Sequence, residues 1–152
     1  VSSVTDGFPE QTPGQYPTNI SLAAADGNSV ILDRGDPRYA LYAHLQPGSI
    51  KVHAHESVKR GQVLGLVGNT GNSVAQHLHF QVTDGPSSLM SNGLPYEIDE
   101  LQITGKSGGT EAFDQAEEKG TPLEITPMSP PHVVQGGLPL DQLIISFTPH
   151  HP

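Results

Sequence analysis

The sequence predicts a mostly β fold, and three observations carry that expectation. Gly and Pro together supply about a fifth of the 152 residues, a composition that favours turns over helices. Only 15% of residues are charged, fewer than the solvated faces of amphipathic helices require. The apolar residues, 34% of the chain, fall in short alternating or continuous runs cut by turn residues. A chain of this length supports one domain with an appendage, its core burying roughly two-thirds of the surface the unfolded chain would expose. No repeat of fixed period is present.

Val1-Ser2-Ser3-Val4 alternates as the second half of a strand, which suggests that a segment upstream of Val1 is missing. Residues 7–29 contain Pro9, Pro13, Gly14 and Pro17; these exclude a helix or central strand and predict a surface excursion. Val30-Ile31-Leu32 is a strand, Asp33 to Pro37 has turn chemistry, and Tyr39 to Leu45 is the returning strand of a hairpin. After the Gln46-Pro47-Gly48-Ser49 turn, Ile50-Lys51-Val52 extends, and Val58, Val63, Leu64, Leu66 and Val67 supply further strand material among glycines. Asn69 to Ser73 is a polar loop. Gln76 to Val82 then alternates as a strand, with His77, His79 and Gln81 on one face and Leu78, Phe80 and Val82 on the other. Residues 105–137 are rich in Gly, Ser, Pro and Glu and predict loop, whereas Leu138 to Phe147 is apolar enough to dock as a last strand.

A net charge of −9 with only seven Lys and Arg argues against nucleic acid and against acidic membrane surfaces, both of which call for clustered cations. No apolar run is long enough to cross a bilayer. Cysteine is absent, which removes disulfides and thiolate chemistry but does not select a compartment. Nothing in the residues sets an oligomeric state.

Two histidines one residue apart on a strand project from one face with Cα atoms roughly 6.5–7 Å apart. One such ring is able to ligate a metal ion while the other touches the metal's water or a forming oxyanion. The His77-Leu78-His79 pair stands in this relation, and His44 lies on another predicted strand in Tyr42-Ala43-His44-Leu45. Between them come Val58-Lys59-Arg60-Gly61-Gln62-Val63-Leu64-Gly65 and the Gly68-Asn69-Thr70-Gly71-Asn72-Ser73 loop. Four linked motifs in this order, from Tyr42 to Phe80, resemble the lysostaphin/LytM-type zinc metallopeptidases; the likeness extends more loosely over residues 1–104.

The resemblance implies a small β-sandwich of the duplicated hybrid motif type over residues 1–104, followed by a loop-rich extension over 105–152 that ends in a docked strand. It implies hydrolysis of peptide bonds in bacterial peptidoglycan, zinc as cofactor, and a location in the cell envelope, periplasmic or secreted. By the same resemblance His79 is a metal ligand, His44 and His77 are catalytic imidazoles, and Tyr42, Asn69, Thr70, Asn72 and Ser73 border the substrate groove. The family draws its other two ligands from an upstream His-x-x-x-Asp motif. No such motif precedes Tyr42: Asp6, Asp26, Asp33 and Asp36 have no histidine at that spacing. Truncation accounts for both this gap and the strand-like start.

Two other readings follow from the same residues. The first is a non-catalytic LytM-like module that binds peptidoglycan or a cell-wall amidase partner. The second takes the Val58–Gly65 turn as a biotinyl, lipoyl or phosphocarrier signature, but Lys51 and Lys59 are not at the tip of a hairpin. His53 and His55 form a second H-x-H that reads as solvated surface, with Glu56 and Lys59 beside it. His132, His150 and His151 lie in Pro-rich tail segments.

Overall fold

A computed structural model describes residues 1–35 and 37–147; Asp36, assigned to a turn, and His150 and His151, assigned to the tail, lie outside the described residues. The chain is mostly β, with two antiparallel sheets and one α-helix. It divides into two compact units, one from Val1 to Pro95 and the other from Tyr96 onward. The expected division at 104/105 falls inside a continuous strand of the second unit.

The first unit holds an antiparallel meander of β1 (Ser3–Thr5), β2 (Ser29–Asp33), β3 (Tyr39–Ala43) and β4 (His79–Thr83), side by side in that order. Val4 pairs with Val30, Val30 with Tyr42, and Tyr42 with Phe80. Because side chains on a strand alternate, this register lines apolar groups along one face. Val30, Leu32 and Ala40 are buried there, and Val4, Tyr42 and Phe80 pack against them. Tyr42 meets Phe80 edge to face, ring centroids 5.0 Å apart, a preferred aromatic geometry.

The layer over this face comes from residues 45–67, where Leu45 and Val52 are buried and Ile50, Val58 and Leu64 are packed. The strands expected there do not form. Single hydrogen bonds hold the segment, Lys51 N to Leu64 O at 2.8 Å and Gln46 N to Leu66 O at 2.9 Å, with one isolated bridge between Leu45 and Val67. Turns at Gly48 and Gly61, both at positive φ, interrupt the extended runs, and Val63, Leu66 and Val67 face solvent.

The 7–29 excursion is largely exposed but pinned. Gln11 N donates to Asn69 O at 2.8 Å, Gly14 N to Val74 O at 2.9 Å and Asn69 N to Glu10 Oε2 at 2.6 Å. Its last turn enters the core, with Gly27 and Asn28 buried. Gly27 (φ 59°) and Gly71 (φ 74°) pack backbone to backbone, so that a Cβ on Gly71 would come 2.5 Å from Ala25 O.

In the second unit, β5 (Ile98–Ser107) is the central strand between β6 (Ile125–Gly137) and β7 (Leu143–Ser146). Leu101 is fully buried at its middle, and the register shifts between Ile103 and Gly105. Of the last strand expected from Leu138 to Phe147, Leu143–Ser146 forms β7, whereas the loop expected over 105–137 is largely strand and helix. His132 lies on β6, paired with Ile103. Nearly every residue of β6 is exposed; an edge strand with little burial carries little hydrophobic alternation for the sequence to display. The helix α1 (Thr110–Lys119) ends at Gly120 in the left-handed conformation. Gly120 N donates to Glu117 O at 3.2 Å and Thr121 N to Ala116 O at 3.0 Å, the paired bonds of a Schellman cap. The Lys119-Gly120-Thr121-Pro122 stop signal was readable.

Substituting Gly27 by Ala forces a Cβ into the Thr70 backbone from a left-handed residue. The expected loss is about 2–4 kcal/mol of unfolding free energy, measured by denaturant titration. Ala at Gly35, also left-handed but in open space, should cost about 1 kcal/mol.

Candidate active site

The exit from β3 and the approach to β4 bring three imidazoles together. β3 stops at Ala43, which pairs with His79, and His44 turns away at φ 60°. His tolerates this conformation better than most residues. Two backbone bonds fix it: His44 N to Asp26 O at 2.9 Å and Leu45 N to Asn28 O at 2.9 Å. The His44 ring lies against His77, centroids 4.7 Å apart, and against His79, 5.6 Å apart. The convergence expected of His44, His77 and His79 is therefore found.

Its route differs from strand alternation. A strand running to Leu45 would have put Tyr42 and His44 on one face; the left-handed backbone at His44 instead sends its ring to the histidines, while Tyr42 stays on the core face. Burial raises the Tyr42 phenol above its ordinary 10.0, with Arg34 opposing, which suits a packing residue. His77 is not in β4 but in an isolated bridge with Gly68.

Each ring has one nitrogen occupied by an acceptor. His44 Nδ1 donates to Thr70 O at 2.7 Å, and His77 Nδ1 donates to Ala75 O at 2.9 Å. Carbonyls only accept, so both neutral rings carry the proton on Nδ1 and a lone pair on Nε2. His79 is held through Nε2, 2.7 Å from Gln81 Oε1. Burial pushes the His44 imidazole below its ordinary 6.5. The neighbouring His77 and His79 push the same way, and the Thr70 bond and the Asp26 charge oppose.

The polar loop is a scaffold more than a lining. Asn69, Thr70 and Ser73 are buried, and Asn72 alone of the four faces solvent. Thr70 Oγ1 accepts from Asn28 N at 2.9 Å and donates to Leu45 O at 3.0 Å. Asn28 Nδ2 donates to Phe8 O at 2.9 Å and to Leu45 O at 3.2 Å. Ser73 Oγ donates to Asn69 Oδ1 and stands 3.3 Å from His77 Nδ1. Among residues not expected at the site, Asp26 acts electrostatically on His44 and its Oδ2 accepts from Ser88 Oγ at 2.6 Å. No local spacing announces Asp26 or Ser88. His53 and His55 are exposed, as expected, and His53 N donates to Glu56 Oε2 at 2.9 Å.

Residues 16–91, half of the chain, match the family model Peptidase family M23. The chain belongs to peptidase family M23. An M23 relative, DD-carboxypeptidase/endopeptidase Mpg of Neisseria meningitidis serogroup B, is 37% identical over 71 residues, 45% of this chain and 16% of that protein. Peptidoglycan DD-endopeptidase ShyA of Vibrio cholerae is also 37% identical over 71 residues, with the same shares covered. Lysostaphin of Staphylococcus simulans is 39% identical over 89 residues, 55% of this chain and 17% of that protein. The chain thus spans about a sixth of the length of these relatives. No solved structure gives a significant match.

M23 peptidases are zinc enzymes, and the residues described here do not fit a complete zinc site. Among the described residues, no three His, Cys, Asp or Glu side chains are placed to hold one metal ion, whereas a catalytic zinc takes three protein ligands. The His44 ring lies against both His77 and His79, yet the three do not make such a group.

Two outcomes follow. Thr70→Val should cost about 2 kcal/mol by leaving the Asn28 amide without its acceptor, measured by denaturant titration. His44 is harder to protonate folded than unfolded, so the stability gained by keeping it neutral is complete above pH 6.5. It is lost as pH falls from there through the lower folded value. With His77, His79 and Asp26 as the groups facing it, His44→Gln should flatten the fall in unfolding midpoint across this window.

Proposed function

We propose that this chain carries the imidazole side of a peptidoglycan endopeptidase site in the bacterial cell envelope, periplasmic or extracellular. The observation that supports this reading is the convergence of His44, His77 and His79, two of them held as Nδ1–H tautomers. An unprotonated Nε2 is what a general base needs, and burial keeps His44 neutral near pH 7. One of His44 and His77 takes a proton from the attacking water; the other, once protonated, donates to the oxyanion or the leaving amine. Among the described residues His79 is the ligand offered toward zinc, and the metal's other donors are not among them. Exposed Asn72 is positioned to meet substrate, and buried Asn69, Thr70 and Ser73 act by holding the rings. Among the described residues no helix is long and apolar enough to cross a membrane.

The lack of a three-donor group favours a second reading, a module that binds peptidoglycan or an amidase partner without cutting. The test uses the full-length protein that carries this chain, with purified cell-wall sacculi and added Zn²⁺. Under the peptidase reading, His44→Ala and His77→Ala each cut the release of new amino termini by roughly 100-fold or more, and His79→Ala also lowers bound zinc. Sacculus binding without metal or release, unchanged in all three variants, would leave only the module.

A further inference from the structure

The side chain of Gln81 shares the His79 face of β4 and is tied at both ends. Its Oε1 lies 2.7 Å from His79 Nε2, and its Nε2 donates to Ser88 O at 3.3 Å. Because the Ser88 carbonyl can only accept, the amide end of Gln81 faces Ser88 and the oxygen end faces His79. His79 Nε2 is then the donor, and the lone pair of that neutral ring is left on Nδ1. Ser88 is anchored in turn, its Oγ donating to Asp26 Oδ2 at 2.6 Å, while Asp26 O accepts from His44 N at 2.9 Å. A continuous set of bonds runs from the ring of His79 through Gln81, Ser88 and Asp26 to the backbone of His44.

We propose that Gln81, braced by Ser88 and Asp26, is a positioning residue that fixes His79 as the Nε2–H tautomer and presents Nδ1 as its only available lone pair. The assignment is opposite to that of His44 and His77, which are held through Nδ1 and keep Nε2 free. One cluster therefore offers two kinds of imidazole, and the difference comes from which nitrogen the nearest acceptor reaches. Outer partners that select a tautomer orient a ring as well as its lone pair. This inference rests on the peptidase reading for its purpose, but its content, a tautomer and the residue that sets it, stands apart from turnover.

The test is ¹⁵N NMR of the imidazoles in the full 152-residue chain, at a pH where the rings are neutral. In the unsubstituted chain, His79 should show a protonated Nε2 with a slowly exchanging proton and an unprotonated Nδ1, and His44 and His77 the reverse. Gln81→Leu, which removes the acceptor, should speed exchange of the His79 Nε2 proton by roughly tenfold, the factor one net hydrogen bond can supply. Gln81→Glu keeps an acceptor toward His79 and should retain the protected proton, a rescue that a role in packing alone does not predict. A His79 protonated on Nδ1 in the unsubstituted chain overturns the proposal whether or not the variants fold. So does exchange in Gln81→Leu equal to that of the parent. If the tautomers are as stated and the sacculus assay fails, the positioning role holds and the peptidase reading does not.

Discussion

Everything at the site hangs from Thr70, a fully buried residue in a loop. Its hydroxyl joins the Asn28 amide to the Leu45 carbonyl, and its own carbonyl receives the His44 ring. Three segments distant in sequence meet there: the turn before β2, the exit from β3 and the loop before β4. A buried polar group without a partner is costly, so each of the three has one favoured position relative to the others. The close approach of Gly27 to Gly71 is the steric side of the same constraint, since a side chain at either glycine would hold the two loops apart.

That junction explains how much of the molecule was legible in the sequence. The β2–β3 hairpin and most of β4 showed themselves because one face is buried and alternation records it. The H-x-H pair and His44 were legible as chemistry, yet the path by which His44 reaches the others was not. Its left-handed backbone answers to Asp26 and Asn28, partners that lie far off in sequence. Asp26 and Ser88 were invisible for the same reason: each matters through a tertiary neighbour. Gln81 was placed on the correct face, but its partner Ser88 sits beyond the strand.

The segments read wrongly have a shared physical origin. Residues 45–67 look like strands because they are apolar, but their apolar groups split between core and solvent, and glycine turns keep them from pairing. In β6 the reverse holds: the strand is paired with β5 toward both its ends yet almost wholly exposed. Pairing there is a matter of backbone hydrogen bonds, to which hydrophobic pattern is blind. The helix α1, with no buried residue, was marked only by its cap.

The arrangement of the rings also bears on why a family of zinc peptidases can be recognised here while the described residues do not make a zinc site. Each of the three imidazoles has one N–H committed to an acceptor and one lone pair over. Protonating His44 together with either neighbour would place like charges about 5 Å apart, and the effect of His77 and His79 on His44 runs in that direction. Burial and the two neighbouring rings together disfavour a positive charge on His44. Among the described residues these three rings do not form a group that could hold one metal ion. His44 and His77 are held through one ring nitrogen and His79 through the other, a difference set by the acceptors behind the rings and not by the histidines themselves.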